Sequence, residues 1–144
     1  MNELAFTVFG RPQAKGSKRA LQGVGQRFPV LVDQNRRAAP WAGEVRAAAG
    51  QVMTAELLRG AVAVEFDFFF ARPKGHYGSG RNADKVLASA PRHMTVMPDI
   101  DKLARCALDA LTGVVFKDDA QVCDLSLRKG YGSPDRLEVR VMWT

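Results

Sequence analysis

The stretch AVAVEFDFFF, residues 61–70, gives the clearest strand signal in the chain. Apolar side chains recur at every second position, and Glu65 and Asp67 fall between them. Because successive side chains of a strand point to opposite faces, one face of this strand is apolar and the other is polar. We predict that the apolar face belongs to the core, with Val62, Val64, Phe66, Phe68 and Phe70.

Strands and helices are also predicted on both sides of this stretch. Period-2 patterns predict strands over residues 4–8, 123–127 and 137–143. The linker RKGYGSPD, residues 128–135, contains Gly and Pro and predicts that the last two strands pair as a hairpin. Apolar residues at helical spacing predict one helix from Pro40 to Gly60 and another from Pro98 to Gly113. We therefore predict a single α+β domain over residues 1–144, with a mostly antiparallel β-sheet covered by two helices on one face.

Composition excludes several classes of protein. The 144 residues, 47% hydrophobic and 25% charged, fit one ordinary soluble domain. No run approaches the roughly 18–20 apolar residues of a membrane span, and the N-terminus lacks a signal-peptide pattern, so we expect a cytoplasmic protein without a membrane partner. Cys106 and Cys123 form no CxxC pair and only two histidines are present, which excludes a structural zinc site. We expect both cysteines to be small buried side chains.

Charge is distributed unevenly along the chain. Lys and Arg number 21 and Asp and Glu number 15, so the formal net charge is +6. Residues 1–97 carry fourteen basic and seven acidic side chains, whereas residues 98–144 carry seven and eight. A basic excess favours a polyanionic partner such as nucleic acid.

Two Gly-containing loops carry much of the basic charge, one that begins at Gly10 and a long one over residues 72–93. Long loops inside a compact domain are often functional. Phosphate contacts are one interpretation of their cations, and simple solvation is the other. His76 and Tyr77 in the long loop either touch DNA or belong to a mobile segment. The candidate phosphate-binding residues are Lys15, Lys18, Arg19, Arg72, Lys74, Arg81 and Lys85.

Acidic residues cluster at two places in the last third of the chain. Asp99 and Asp101 follow Pro98, and in an extended stretch they would face the same way, about 7 Å apart. Asp118 and Asp119 lie in a later turn that we expect to fold back beside the start of the second helix. Carboxylates without His or Cys favour Mg²⁺ or Mn²⁺. The alternative is that the first pair only caps the helix.

One face of the second helix carries alternating charges. Asp101, Arg105 and Asp109 follow at intervals of four residues, so they line one side. An ordinary surface salt-bridge ladder is one interpretation. The other is that Arg105 leans over a metal site and neutralises a scissile phosphate.

The run MPDIDKLARCALDALTGVVFKDDAQV, residues 97–122, resembles the signature of the RusA family of Holliday-junction resolvases. It combines a PDxD element, a basic residue six positions after the first Asp, a DALxG helix end and a DDxQV turn. FTVFGRPQAKGSKR, residues 6–19, is similar to the opening strand and basic loop of that family. Lys102 stands where Asn is common.

The resemblance implies a RusA-like fold and a set of functional residues. Metal-binding and catalytic carboxylates fall on Asp99, Asp101 and Asp119, with Asp118 as an auxiliary acid. Arg105 occupies the basic catalytic position, which is typically Lys. Because arginine cannot give up its proton, the resemblance supports charge stabilisation there rather than proton donation.

The implied activity is Mg²⁺-dependent hydrolysis of DNA phosphodiesters at four-way junctions, with Mn²⁺ as a substitute ion, in recombination and repair. The family also implies a homodimer that cuts two strands symmetrically, and a phage or prophage origin in a bacterial host cytoplasm. Two alternatives stay open: an accessory protein that binds DNA without cutting it, and a general metal-dependent nuclease without junction preference.

Overall fold

The computed structural model describes residues 1–25 and 27–144, with the side chains of residues 18, 19 and 30–33 outside the description. Six strands and two α-helices are present in this part of the chain. In chain order they are β1 (Asn2–Phe9), β2 (Lys18–Leu21), β3 (Val30–Asp33), α1 (Ala38–Val52), β4 (Val62–Phe70), α2 (Ile100–Leu111), β5 (Val122–Tyr131) and β6 (Arg136–Trp143).

The larger sheet has four strands in the order β1-β6-β4-β5. β6 runs antiparallel to both of its neighbours, whereas β4 and β5 run parallel. Two of the three ladders are therefore antiparallel, which confirms the predicted α+β class. β1, β4 and β5 all point the same way. Their C-terminal ends lie at one edge of the sheet, which we call the carboxyl edge, and their N-terminal ends lie at the amino edge.

Helices α1 and α2 cover one face of this sheet and form the core with it. The alternate residues of β4 from Val62 to Phe70 are each at most 2% exposed, as predicted. Leu103, Ala107 and Leu111 of α2 are completely buried. Burying a large apolar side chain contributes about 1.5–3 kcal/mol, so the period-2 strand and the helical stripe stabilise each other. No helix in the described residues is long and apolar enough to cross a membrane.

The predicted hairpin of the last two strands is wrong. β5 pairs with β4, and β6 lies on the other side of β4. The linker crosses the end of β4, where the amide of Gly132 donates to the carbonyl of Phe70 at 2.9 Å and Asp135 accepts from the amide of Ala71 at 2.5 Å. Gly and Pro specify that the chain turns, but not which strand lies beside it afterwards.

Helix α1 is shorter than the predicted helix. It ends at Val52, and Met53 is extended and packs on the core. The chain then turns toward the loop that follows α2, where the amide of Leu58 donates to the carbonyl of Val115 at 2.8 Å. A continued helix would carry Leu58 away from that partner, so this long-range pairing ends α1 before Gly60.

Two smaller expectations also differ from the structure. Cys106 is buried as expected, but Cys123 is exposed on the edge strand β5. The basic loop after residue 10 contains β2 and β3, which form a separate antiparallel two-stranded sheet. Each strand has only four residues, too few for a period-2 pattern to mark it in the sequence.

Candidate active site at the start of helix α2

The loops at the carboxyl edge bring together distant parts of the chain. Residues 10–17 follow β1, residues 71–99 follow β4, and residues 132–135 follow β5. The loop after β4 returns into α2, so the N-terminus of α2 lies at this same edge. In parallel-stranded units, ligand sites are commonly built outside the carboxyl ends of the strands.

Asp99 and Asp101 lie at this N-terminus. Asp99 is the N-cap residue with an extended backbone, and Asp101 is in the first helical turn. The prediction that both lie in one extended stretch is wrong, because the amide of Leu103 donates to the carbonyl of Asp99 and closes the first turn there. The Asp99 carboxylate makes no capping hydrogen bond. The side-chain nitrogen of Lys102 lies 3.8 Å from Oδ2 of Asp99. Both carboxylates are accessible to a ligand, in the positive field of the helix terminus.

Lys129 fixes the backbone just before Asp99. Its side-chain nitrogen donates to the carbonyl of Val96 and to the carbonyl of Pro98, each at 2.9 Å. Lys129 is on β5 and faces the helix-covered side, where its register partner Phe68 is buried. The sequence gives no signal for this role, because a Lys in a strand normally points to solvent.

A groove of about 560 Å³ lies beside Asp99 at the carboxyl edge. It is lined by residues 11–17, by Gln34 and Asn35, and by Met97, Pro98 and Lys102. The amide of Lys15 donates to the carbonyl of Lys102 at 3.1 Å and holds the basic loop against α2. Cations from the basic loop and from α2 therefore line the groove beside Asp99, and Arg11 and Lys102 add to the predicted set.

The predicted phosphate-binding residues fall into three groups. Lys74, Arg81 and Lys85 are exposed on the loop after β4. Lys15 and Arg72 are engaged within the protein, whereas Lys18 and Arg19 have side chains outside the described residues. Of the predicted set, only Lys74, Arg81 and Lys85 have side chains that the structure places in solvent.

The two engaged cations have specific partners. Lys15 forms an ion pair with Asp109. Arg72 donates to the carbonyl of Pro91 at 2.7 Å, lies over the Tyr131 ring at 4.4 Å, and contacts His76 Nδ1 at 3.2 Å. His76 also packs edge-on against Tyr131. These contacts attach the long loop to the end of β5.

Arg105 is exposed on α2, one turn after Asp101. No salt bridge among the described residues includes it, and Asp109 pairs with Lys15 instead. The salt-bridge ladder considered from the sequence is therefore not formed. The guanidinium of Arg105 remains available to an anionic ligand.

Asp118 and Asp119 lie at the amino edge, beyond the other end of α2. They precede β5 in a short 3₁₀ turn, and Gln121 of that turn donates to the carbonyls of Leu58 and Gly60, which lead into β4. Asp118 caps the turn, whereas Asp119 is exposed. Twelve helical residues span about 18 Å. The turn does not fold back beside the start of α2 as expected.

The carboxylates of one chain thus form two separate pairs. Among the side chains that the structure describes, no group of three or more His, Cys, Asp or Glu is arranged to hold a metal ion. The chemistry of the pair Asp99 and Asp101 still fits Mg²⁺, which typically takes one or two carboxylates and completes its shell with water and substrate phosphate.

Two carboxylates on the sheet face away from the helices, Asp67 and Glu3, have shifted pKa values. Desolvation raises the pKa of Asp67, Arg128 lowers it, and Glu138 and Glu65 raise it further. A two-point hydrogen bond from Arg140, at 2.8 and 3.0 Å, lowers the pKa of Glu3. Arg140 also binds Glu65 and so connects three strands.

Comparison with known proteins identifies relatives along nearly the whole chain. The family model described as endodeoxyribonuclease RusA matches residues 10–142. The chain is also 28% identical over 141 residues to the uncharacterized protein YqaN of Bacillus subtilis (strain 168), an alignment that covers 98% of this chain and 96% of that protein. Both carboxylate pairs, Arg105 and Lys129 fall within the part matched by the family model.

Proposed function

The chain belongs to the RusA family of endodeoxyribonucleases, and from this premise we propose that it resolves four-way (Holliday) DNA junctions by phosphodiester hydrolysis. The observation that carries the proposal is the placement of Asp99 and Asp101, accessible at the N-terminus of α2, beside a groove lined by cations. A cationic approach binds the DNA backbone, and the carboxylates supply the hydrolytic chemistry.

The cofactor in this proposal is Mg²⁺, with Mn²⁺ as a substitute. Asp99, Asp101 and Asp119 would hold it, and Asp118 would assist. When bound there, a divalent ion polarises the scissile phosphate and favours attack by water. The chemistry of hard oxygen ligands supports this assignment.

Arg105 stabilises the charge that develops on the phosphate. Its guanidinium is exposed one turn along α2 from Asp101 and is not engaged by a neighbouring carboxylate in the described structure. Because it always stays protonated, its role is electrostatic and not that of an acid. Lys74, Arg81 and Lys85 bind DNA phosphates at the same edge, and this contact recognises backbone shape more than base sequence.

The active form is a two-fold homodimer. The separation of the two carboxylate pairs by the length of α2 supports this, because two antiparallel copies would place Asp119 of one beside Asp99 of the other. β5 is an edge strand beside α2, and its Leu125 is 39% exposed although it points to the helix-covered face. A two-fold dimer also presents two identical sites to the two strands of a junction.

The test is cleavage of a synthetic four-way junction, a replication fork and a linear duplex in Mg²⁺. A resolvase cuts the junction fastest and symmetrically. Asp99→Asn should abolish cutting and leave junction binding in Ca²⁺ intact, and its matched control is Glu44→Gln, an exposed carboxylate on α1 outside the proposed site.

A non-cutting accessory protein is the second candidate, favoured because no three potential metal ligands cluster among the side chains described for one chain. It predicts junction binding without cleavage by the wild-type protein. Equal cleavage rates on all three DNAs would instead identify a general nuclease.

A further inference from the structure

The strands β2 and β3 form a two-stranded ribbon outside the main sheet. Lys18 pairs with Asp33 at its base and Leu21 pairs with Val30 at its far end, which gives a rise of about 10 Å before the tip, residues 22–25 and 27–29. An isolated two-stranded hairpin is at best marginally stable in water. The ribbon is therefore a structure that a partner would stabilise.

The tip of the ribbon presents apolar side chains to solvent. Val24 is fully exposed and Phe28 is 71% exposed. The guanidinium of Arg27 lies 5.5 Å from the centre of the Phe28 ring. A cation beside an aromatic ring, both in solvent, is a combination that suits a nucleobase stacked on the ring and a phosphate near the cation.

The base of the ribbon adjoins the groove beside Asp99. The amide of Gln34 donates to the carbonyl of Ser17 at 3.0 Å and closes the base. The side chain of Asn35 donates to the carbonyl of Ala14 at 2.6 Å. Ala14, Ser17, Gln34 and Asn35 all line the groove, so the ribbon rises from its wall.

The charge of the ribbon favours nucleic acid over a protein partner. Residues 18–33 contain three basic side chains, Lys18, Arg19 and Arg27, and one acidic side chain, Asp33. An apolar tip on a basic stem resembles the β-ribbons and wedges by which proteins enter DNA grooves and unstack base steps.

We propose that the β2–β3 ribbon contacts the branch point of the DNA substrate, with the Phe28 ring stacked on a base exposed there and Arg27 beside a phosphate. This inference rests on the proposed junction-resolving function and adds a specificity element to it. A base at a branch is unstacked at less cost than a base inside a duplex, so the contact favours branched over linear DNA.

The test measures binding of the full-length chain, in EDTA, to a four-way junction and to a linear duplex of the same composition. Base–aromatic stacking predicts that Phe28→Ala weakens junction binding by about tenfold and duplex binding by less than about twofold. Phe28→Trp keeps an aromatic face and should retain junction affinity. Val52→Ala, which trims an exposed apolar residue at the end of α1 near the amino edge, should leave both affinities unchanged.

Unchanged junction affinity in Phe28→Ala, or equal losses on both DNAs, would overturn the inference. A monomer formed by Phe28→Ala where the wild type is a dimer would also overturn it, because the ring would then cover a second copy of the chain. Wild-type junction cleavage in Mg²⁺ is measured in parallel. If the wild type cuts junctions and Phe28→Ala binds them normally, only the ribbon assignment fails. If the wild type neither cuts nor prefers junctions, the proposed function fails.

Discussion

The ammonium of Lys129 on β5 donates to the carbonyl of Pro98 at 2.9 Å, and Pro98 directly precedes Asp99. A cation in the sheet thereby fixes the backbone from which a proposed catalytic carboxylate projects. We expect Lys129→Met to slow junction cleavage by about tenfold to a hundredfold, because small displacements of a reacting group cost rates of that order.

Substitution of Lys129 should change the cleavage rate, because Lys129 positions Asp99, and should not change DNA binding. Junction affinity in Ca²⁺ should stay within about twofold of wild type, since Lys129 is turned toward carbonyls of its own chain. Lys129→Arg keeps a donor and should recover much of the rate. A variant that cuts at the wild-type rate, with unchanged melting temperature, would show that the two hydrogen bonds do not position Asp99.

Mixed dimers test whether one site uses both copies. Asp99→Asn and Asp119→Asn should each be inactive alone. In a heterodimer of the two, one of two composite sites would retain Asp99 from one chain and Asp119 from the other, so nicking should return. The measurement is junction nicking after the two inactive proteins are unfolded and refolded together. Persistent inactivity, with heterodimers demonstrated, would contradict a shared site.

Arg105 is predicted to act by charge. Arg105→Ala should lower the cleavage rate by about 10²–10³-fold, the usual effect of losing one donor that stabilises a developing oxyanion. Arg105→Lys keeps the charge and should retain much more activity. Single-turnover cleavage measures both, and a rate for Arg105→Ala equal to wild type would return Arg105 to the status of a solvated surface residue.

The exposed cations of the long loop should determine the salt dependence of binding. Replacing Lys74, Arg81 and Lys85 together by Ala should weaken junction binding and reduce the slope of log affinity against log salt by about 0.9 per lost phosphate contact on duplex arms. Fluorescence anisotropy from low to physiological salt measures the slope. An unchanged slope would remove these residues from the interface.

Lys15 and Arg72 should behave differently from that group. Lys15 is paired with Asp109, and Arg72 attaches the long loop to Pro91 and Tyr131. The Ala variants of Lys15 and Arg72 should lower the melting temperature. The Ala variants of the three exposed cations should leave it unchanged. The comparison uses thermal unfolding in the absence of DNA.

Asp67 should make stability depend on pH. Desolvation raises its pKa in the folded state, so folding favours the protonated carboxyl. Stability from this group is then lost as pH rises from the unfolded pKa of about 3.9 through the raised folded value. Asp67→Asn should increase the melting temperature at pH 7, and the difference should vanish below about pH 3.9. Asp84→Asn is the control, and a larger gain at low pH than at pH 7 would contradict the sign.

The sequence alone determined most of the local elements and the family, and it indicated the candidate site residues. The period-2 pattern of residues 61–70 and the apolar stripe of α2 identified the core, because burial repeats with the period of the element. The motifs of residues 97–122 carry the resemblance to the RusA family and indicate the candidate carboxylates, whose oxygen ligands suit Mg²⁺.

Only the tertiary structure decided which elements are neighbours. It placed β6 between β1 and β4, ended α1 at Val52, and separated Asp99 from Asp119 by the length of α2. Each of these depends on a long-range contact: a strand ladder, the hydrogen bond of Leu58 to Val115, and the bond of Gln121 to Leu58. Such contacts join residues far apart in the chain, and the pattern within one segment holds no information about its distant partner.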